Sequence, residues 1–141
     1  MFILDTNVVS ELRRARPHPQ VLAWLQRTDD ADLHVSAVSL GEIQAGIELT
    51  RDQDPAKAAM IDAWADQVAA TYNILAMDGR TFRIWARLMH HRSDTVYEDA
   101  MIAATALAHN LTVVTRNVRD FVTFQVPTLD PFADRSREDQ P

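Results

Sequence analysis

The chain has 141 residues, of which 47% are hydrophobic, enough to build one compact domain with a buried core. It contains no cysteine, which excludes disulfides, cysteine-ligated zinc and iron–sulfur clusters. The formal net charge is −6, which argues mildly against a nucleic-acid partner unless clustered carboxylates hold a cation. The apolar run at the N-terminus is short, so we expect no membrane span and a soluble, cytoplasmic protein.

Short apolar runs alternate along the chain with longer segments of helical periodicity. The predicted strands, in chain order, are FIL, DLHVSAVS, NILAM, LTVV and FQVPTL. The predicted helices are TNVVSELRR, PHPQVLAWLQR, SLGEIQAGIELT, DPAKAAMIDAWADQVAATY, DGRTFRIWARLMHHR and YEDAMIAATALAHN. This alternation predicts an α/β fold in which helices cover both faces of a mainly parallel sheet. The polar residues 133–141 follow as a tail that we expect to fray.

Polar side chains follow two of the predicted strands. Asp5 comes directly after FIL, and the segment TRNVRD comes directly after LTVV. In open parallel sheets the carboxyl ends of the strands form one edge, and binding sites gather there. Asp5 could instead be the N-cap of the helix that follows it. Asn117 and Asp120 could instead serve a turn, where Asn and Asp are common.

Glu42 has two possible roles. It closes an S-x-x-E pattern with Ser39, which is typical of a capping box at a helix start. Its neighbours at i+3, i+4 and i+7 are Ala45, Gly46 and Leu49, a small and apolar face that could turn the carboxylate inward. An inward carboxylate must be paired, metal-bound or protonated.

Two adjacent acids open the helix in TVYEDAMIAATA. Thr95 and Glu98 form a second capping box, which gives Glu98 a structural role. Asp99 falls one position later, outside the box. The residues that share its helix face are apolar: Ile102, Ala103 and Ala106. This helix should be buried, and a carboxylate on its buried stripe is costly without a cation. We therefore interpret Glu98 as a cap and Asp99 as a ligand.

The candidate ligands are Asp5, Glu42, Asp99 and Asp120. Oxygen ligands without His or Cys favour Mg²⁺ or Mn²⁺ over zinc. Asn117 could add a neutral oxygen ligand or orient a water. The sequence has no glycine-rich phosphate loop, no H-E-x-x-H and no G-x-S-x-G motif.

Basic side chains are almost all arginines and fall into three groups. These are Arg116 and Arg119 beside Asn117, a helical stripe of Arg80, Arg83, Arg87 and His91, and a cluster of Arg13, Arg14 and Arg16. The first group is well placed to contact a phosphate in the candidate site. The stripe is either a solvated helix face or a surface that tracks phosphates or binds a partner protein.

Several segments resemble PIN-domain ribonucleases, in particular the VapC and FitB-like toxins of bacterial toxin–antitoxin pairs. They are FILDTNVVSEL, SAVSLGEIQAGI, EDAMIAATALAHNLTVVTRNVRDF and the closing DPF. The resemblance covers residues 1–132 and implies one PIN-like domain, a three-layer α/β/α sandwich with a central, mainly parallel sheet. It also implies a Mg²⁺- or Mn²⁺-dependent endoribonuclease that hydrolyses RNA phosphodiester bonds with an activated water. A homodimer and a small antitoxin partner are implied as well, and no membrane association.

The resemblance also assigns roles to individual residues. The first three acids of the family correspond to Asp5, Glu42 and Asp99. Relatives often carry Asp where this chain has Asn117, and Asp120, one turn later, could supply the fourth carboxylate. The side chains that we expect to contact RNA are Thr6, Asn7, Arg116 and Arg119.

Two other functions stay open. The asparagine at position 117 would suit a catalytically weak PIN scaffold that only recruits RNA or protein partners. Asp5 could also be the nucleophile of a phosphatase. Those enzymes usually have a second acid two residues later, where this chain has Asn7.

Overall fold

A computed structural model of the protein describes residues 1–133, and in that range the chain forms five strands and seven helices. The strands are β1 (Phe2–Leu4), β2 (Leu33–Ser36), β3 (Asn73–Leu75), β4 (Thr112–Val114) and β5 (Thr128–Leu129). The helices are α1 (Thr6–Glu11), α2 (Pro19–Gln26), α3 (Ala37–Gln53), α4 (Pro55–Thr71), α5 (Gly79–Met89), α6 (Tyr97–His109) and α7 (Val118–Val122). Short 3-10 turns cover Asp30–Asp32 and Asp94–Val96. Apart from residue 133, the predicted tail lies outside the described residues.

The five strands form one parallel sheet in the order β3-β2-β1-β4-β5, which confirms the predicted α/β fold. Strands β2 and β3 extend the sheet from one side of β1, and β4 and β5, which come later in the chain, extend it from the other side. The carboxyl ends of β1 and β4 therefore form a switch point, where open α/β sheets bind ligands. Leu4 pairs with Val114, so the residues that follow them, Asp5 and Thr115, lie side by side.

Helices cover both faces of the sheet. Because side chains alternate along a strand, Leu4 and Val114 pack into a core formed with α1, α2, α3 and α4. Ile3 and Val113 point to the opposite face and pack against α5, α6 and α7. The three-layer sandwich is thus confirmed. Among the described residues, no helix is both long and apolar enough to cross a membrane.

Two helices begin at different caps from those expected. Helix α5 is capped by Asp78, whose carboxylate accepts a hydrogen bond from the Thr81 amide at 2.9 Å. Helix α3 begins at Ala37, directly after β2, and Ser36 accepts the capping hydrogen bond from the Val38 amide at 3.1 Å. Ser39 therefore lies inside the helix, and the expected capping box of Ser39 and Glu42 is wrong.

The start of α6 also differs. The Ser93 hydroxyl accepts a bond from the Thr95 amide at 3.3 Å and starts a 3-10 turn, which then continues into α6 without a side-chain cap. The expected capping box of Thr95 and Glu98 is therefore wrong. The buried stripe predicted for α6 is confirmed, because Ile102, Ala103 and Ala106 are buried.

The C-terminal part of the domain contains two further differences. Helix α7 was not expected within TRNVRDFVTF, and it forms around Phe121, which is fully buried with Phe124 beside it. The last strand, expected over FQVPTL, is reduced to Thr128–Leu129. The short helix matters for function because it carries Asp120.

The helix starts can be tested with a matched pair of variants. Thr95→Ala should change the free energy of unfolding by less than about 0.5 kcal/mol, because Thr95 caps no helix. Asp78→Ala should cost about 1 kcal/mol, because it removes the cap of α5. Urea denaturation measures both values, and an equal loss in the two variants would contradict the absence of a Thr95 cap.

Candidate active site

Asp5 lies at the switch point and is only 4% exposed. Its carboxylate accepts three hydrogen bonds of 2.8 Å, from the Thr6 amide, Asn7 Nδ2 and Thr115 Oγ1. Burial raises the pKa of Asp5, and the three hydrogen bonds oppose this effect. Asp5 is therefore both the N-cap of α1, as one interpretation expected, and a fixed carboxylate at the sheet edge.

Thr115 is a site residue that the sequence did not reveal. It is fully buried, donates to Asp5 Oδ2 and accepts a hydrogen bond of 2.9 Å from the Asn117 amide. It therefore links the acid after β1 to the loop after β4. Its position directly after β4, matching that of Asp5 directly after β1, is the signal that could have identified it.

Glu42 projects from α3 toward α1 and is half-buried. The expected inward face is wrong, because Leu49 is 72% exposed. Glu42 instead contacts Thr6 of α1, across the groove that both residues line. Desolvation raises the pKa of Glu42 to about 7, and the charges of Glu98, Asp5 and Asp99 add to the shift. The nearby Thr6 hydroxyl, which lies 2.7 Å from the buried Ser39 hydroxyl, partly offsets it.

Asp99 is half-buried in the first turn of α6, as expected for a carboxylate at the edge of a buried stripe. Desolvation raises the pKa of Asp99 to about 6, and the charges of Asp5, Asp120 and Glu98 add to the shift. Asp120 is exposed on α7, and its charge also raises the pKa of Asp5. The structure thus brings Asp120 into the same electrostatic cluster.

Asn117 contributes mainly through its backbone. Its amide donates to Thr115 Oγ1, and its carbonyl accepts from the Asp120 amide at 3.1 Å. Its side chain is exposed and does not cap α7. Asn117 therefore shapes the loop that presents Asp120, and Asp120 adds a further negative charge to the site.

Glu98 has no capping role and instead faces the acidic cluster, where its charge is the largest charge effect on the pKa of Glu42. Among the described residues, no three acidic or histidine side chains stand close enough together to hold a metal ion as they are. The donor set nevertheless suits a hard divalent cation, because it consists of crowded carboxylates whose mutual repulsion a cation would relieve.

The basic candidates lie in different places. The Arg116 amide donates to Asn7 Oδ1 at 3.4 Å, and the Arg116 guanidinium lies 4.2 Å from the centroid of the Phe132 ring. Arg119 is exposed on α7, in the turn that carries Asp120. Arg80 donates to the Ala108 carbonyl, at the end of α6 that is remote from Asp99. The α5 stripe therefore begins away from the acidic cluster.

A groove of about 280 Å³ adjoins the acidic cluster between α1, α3 and α4. Thr6, Glu42 and Arg13 line it on the side of α1 and α3, and Ile61 and Trp64 of α4 line the other side. The half-buried carboxylate of Glu42 is thus reached from an open, partly apolar channel rather than from a closed pocket.

The raised pKa values predict how stability depends on pH without divalent cations. Glu42 and Asp99 titrate near 7 and 6 in the folded protein, against ordinary values of 4.5 and 3.8. The folded state therefore binds more protons than the unfolded chain, and the free energy of unfolding should fall as pH rises from about 4 to 7. Thermal unfolding in a chelator at several pH values measures this slope.

Glu42→Gln should make that slope shallower and raise Tm at pH 8 by about 2–4 °C, roughly 1 kcal/mol once solvent screening of a half-exposed group is allowed for. Glu48→Gln is the matched control on the same helix, because Glu48 is exposed and its pKa is lowered by its contacts with Arg51 and Gln44. A Glu42→Gln variant no more stable than wild type at pH 8 would contradict the electrostatic interpretation.

Comparison with known proteins agrees with this architecture. Residues 2–124 match the family model of the PIN domain. Toxin FitB of Neisseria gonorrhoeae is 31% identical over 140 residues, which cover 95% of this chain and 100% of that protein. VapC ribonuclease Y4jK of Sinorhizobium fredii is 32% identical over 143 residues, which cover 94% of this chain and 98% of that protein.

Solved structures give the same result in three dimensions. The crystal structure of FitAcB from Neisseria gonorrhoeae matches with a TM-score of 0.84 and 30% identity, over 95% of this chain and 100% of that chain. The structure of FitAB bound to an IR36 DNA fragment matches with the same TM-score and identity. The chain therefore belongs to the PIN-domain family, among relatives that include the FitB and VapC toxins.

Proposed function

We propose that the protein is a Mg²⁺- or Mn²⁺-dependent endoribonuclease that acts as the toxin of a toxin–antitoxin pair. The observation that carries the proposal is the cluster of Asp5, Glu42, Asp99 and Asp120 at the carboxyl edge of the sheet. Support also comes from relatives that are named toxin and ribonuclease and match this chain over nearly its whole length.

Asp5 and Asp99 would hold the cation, with Glu42 and Asp120 binding it directly or through water. When bound, the cation supplies positive charge that stabilises the phosphate and makes the attacking water more acidic. Asp5 is suited to this role because three hydrogen bonds fix its orientation. Thr6 supports Glu42 and Asn7 supports Asp5. Both would also contact the RNA.

Glu42 is the best candidate for the general base, because its half-buried carboxylate lines the open groove beside the cluster, where water can reach it. In the proposed reaction the water oxygen attacks phosphorus and gives its proton to Glu42. The P–O3′ bond breaks, and the departing O3′ takes a proton from solvent, which leaves a 3′-hydroxyl and a 5′-phosphate. Arg116 or Arg119, on either side of the Asn117 loop, would neutralise charge on the phosphate.

The adjacent acids Glu98 and Asp99 allow a matched test of the proposal that Asp99 is a metal ligand. Asp99→Asn should lower the rate of RNA cleavage in Mg²⁺ or Mn²⁺ by at least about 10²-fold, since it removes a proposed ligand. Glu98→Gln is the matched control, which removes the same charge one residue earlier without removing a proposed ligand. Because the Glu98 charge raises the pKa of Glu42, the control is assayed at pH 8, where Glu42 is mostly deprotonated with or without that charge, and it should cleave within a few-fold of wild type. A fluorescent RNA substrate measures both rates, and Asp99→Asn cutting as fast as wild type would contradict the proposal.

The same assay separates the two alternatives. Wild type that binds RNA but cleaves it with neither cation would favour the weak binding module. Hydrolysis of a phosphomonoester without cleavage of RNA would favour the phosphatase with Asp5 as nucleophile.

We also propose that the chain forms a homodimer and binds a small antitoxin. A toxin needs a neutralising partner in the cell that makes it, and FitB is a toxin by name. The groove beside Glu42 supports the antitoxin part of the proposal, because a partner segment lying along Ile61 and Trp64 would reach the acidic cluster and cover it.

Light scattering tests the assembly. The purified chain should have about twice its monomer mass of 15.9 kDa. Co-expressed with the product of a short neighbouring reading frame, it should elute as a heavier complex with no ribonuclease activity until the partner is removed. A monomer, or a complex that cleaves RNA as fast as the free chain, would contradict the corresponding part of the proposal.

A further inference from the structure

The loop between α1 and α2 carries positive charge that the proposed chemistry does not use. Residues 12–18 contain Arg13, Arg14 and Arg16 and no acid, in a chain whose net charge is −6. All three arginines are exposed. The loop therefore concentrates positive charge in a protein whose candidate active site is rich in negative charge.

Glu11, at the end of α1, holds this loop in place. It is only 7% exposed and accepts hydrogen bonds from the His18 amide at 2.8 Å and from Arg14 Nη1 at 3.3 Å. Arg14 is therefore paired. No carboxylate of the described residues lies within 4.0 Å of the guanidinium groups of Arg13 and Arg16. The loop thus presents two cations without a carboxylate partner in the described part of the chain.

Arg116 extends this basic surface toward the acidic cluster. Its guanidinium lies 4.2 Å from the centroid of the Phe132 ring, an arrangement that stabilises the cation and limits its movement. The same ring lies 5.2 Å from the ring of His18, which ends the α1–α2 loop. Phe132 therefore joins the loop after β4 to the loop after α1.

The position of Arg13 relates this surface to the site. Arg13 lines the same groove as Thr6 and Glu42. Asp5 caps the start of α1 and Arg13 lies two residues beyond its end, so the two are separated by the length of this helix, about 9 Å for six residues at a rise of 1.5 Å per residue. The carboxylates repel a polyanion, so cations just outside the cluster are needed to hold one against it. The α5 stripe is less suited, because Arg80 is tied to the remote end of α6.

We propose that Arg13, Arg16 and Arg116 bind phosphates of the RNA strand on one side of the cleaved bond. The inference rests on the proposed ribonuclease function and adds to it a path for the substrate. Arg13 and Arg16 lie outside the reacting cluster, so they hold the strand rather than act on the scissile phosphate. Their effect therefore depends on the length of the RNA, because a short substrate does not reach them.

Charge reversal tests the path. The double variant Arg13→Glu/Arg16→Glu is compared with Arg83→Glu/Arg87→Glu, which changes the net charge equally on the exposed face of α5. Both full-length variants are assayed on single-stranded RNAs of about 4 and about 16 nucleotides, which bracket the footprints of single-strand binding folds. Thermal unfolding checks that both variants keep the wild-type fold.

In Arg13→Glu/Arg16→Glu we expect KM for the longer RNA to rise about tenfold with kcat nearly unchanged, and KM for the shorter RNA to stay as in wild type. A plot of log affinity for the longer RNA against log salt concentration should become shallower. The magnitude of its slope should decrease by about 1.4, which is about 0.7 for each lost phosphate contact. The α5 variant should keep both the wild-type KM and the wild-type slope.

An unchanged KM for the longer RNA, or an equal rise in both double variants, would overturn the inference and leave the ribonuclease function standing. The inference would also be overturned if Arg13→Glu/Arg16→Glu kept its affinity for RNA but no longer bound the partner protein. That result would assign the surface to the partner protein. Wild type that cleaves neither RNA would refute the proposed function itself, and the inference with it.

Discussion

The structure of the site depends on burying one carboxylate, that of Asp5, between two parallel strands. Removing a carboxylate from water is costly unless hydrogen bonds replace the lost hydration. Three donors do so here, and one of them, the Thr115 hydroxyl, comes from the neighbouring strand end. That bond exists only because β1 and β4 pair in the register that aligns Leu4 with Val114. The architecture of the sheet and the geometry of the site are therefore set by the same pairing.

Local sequence patterns were sufficient to predict the fold and the positions of two acids, Asp5 and Asp99. Alternating apolar runs and helical periods determine a parallel sheet, and the position of Asp5 after a strand and of Asp99 on a buried stripe follow from the same patterns. The helix starts were harder. Ser36 and Ser93 accept the capping bonds that the S/T-x-x-E pattern had assigned to later residues, because several hydroxyls compete for the same amides and the sequence alone does not rank them.

The environment of Glu42 could not be predicted because it is tertiary. Its own helix face is exposed at Leu49, and the residue is half-buried by Thr6, which is 36 positions earlier in the chain. Thr115 is likewise 110 residues from the carboxylate to which it donates. Glu98 caps no amide, and its charge instead raises the pKa of Glu42. These contacts, and not the helix patterns, determine the electrostatics of the cluster.

The same electrostatics show why net charge is a poor guide to the partners of this chain. Salt screens exposed charges beyond about 8 Å, so a bound polyanion responds to the groups near its path and not to the total of −6. The acids gather at the switch point, where a divalent cation would reverse the local sign. Arg13 lines the same groove as Glu42, and the loop that carries Arg13 and Arg16 is linked to Arg116 through Phe132 and held in place by Glu11. An acidic protein can thus present a positive path to a phosphate backbone, provided that its carboxylates are concentrated where a cation neutralises them.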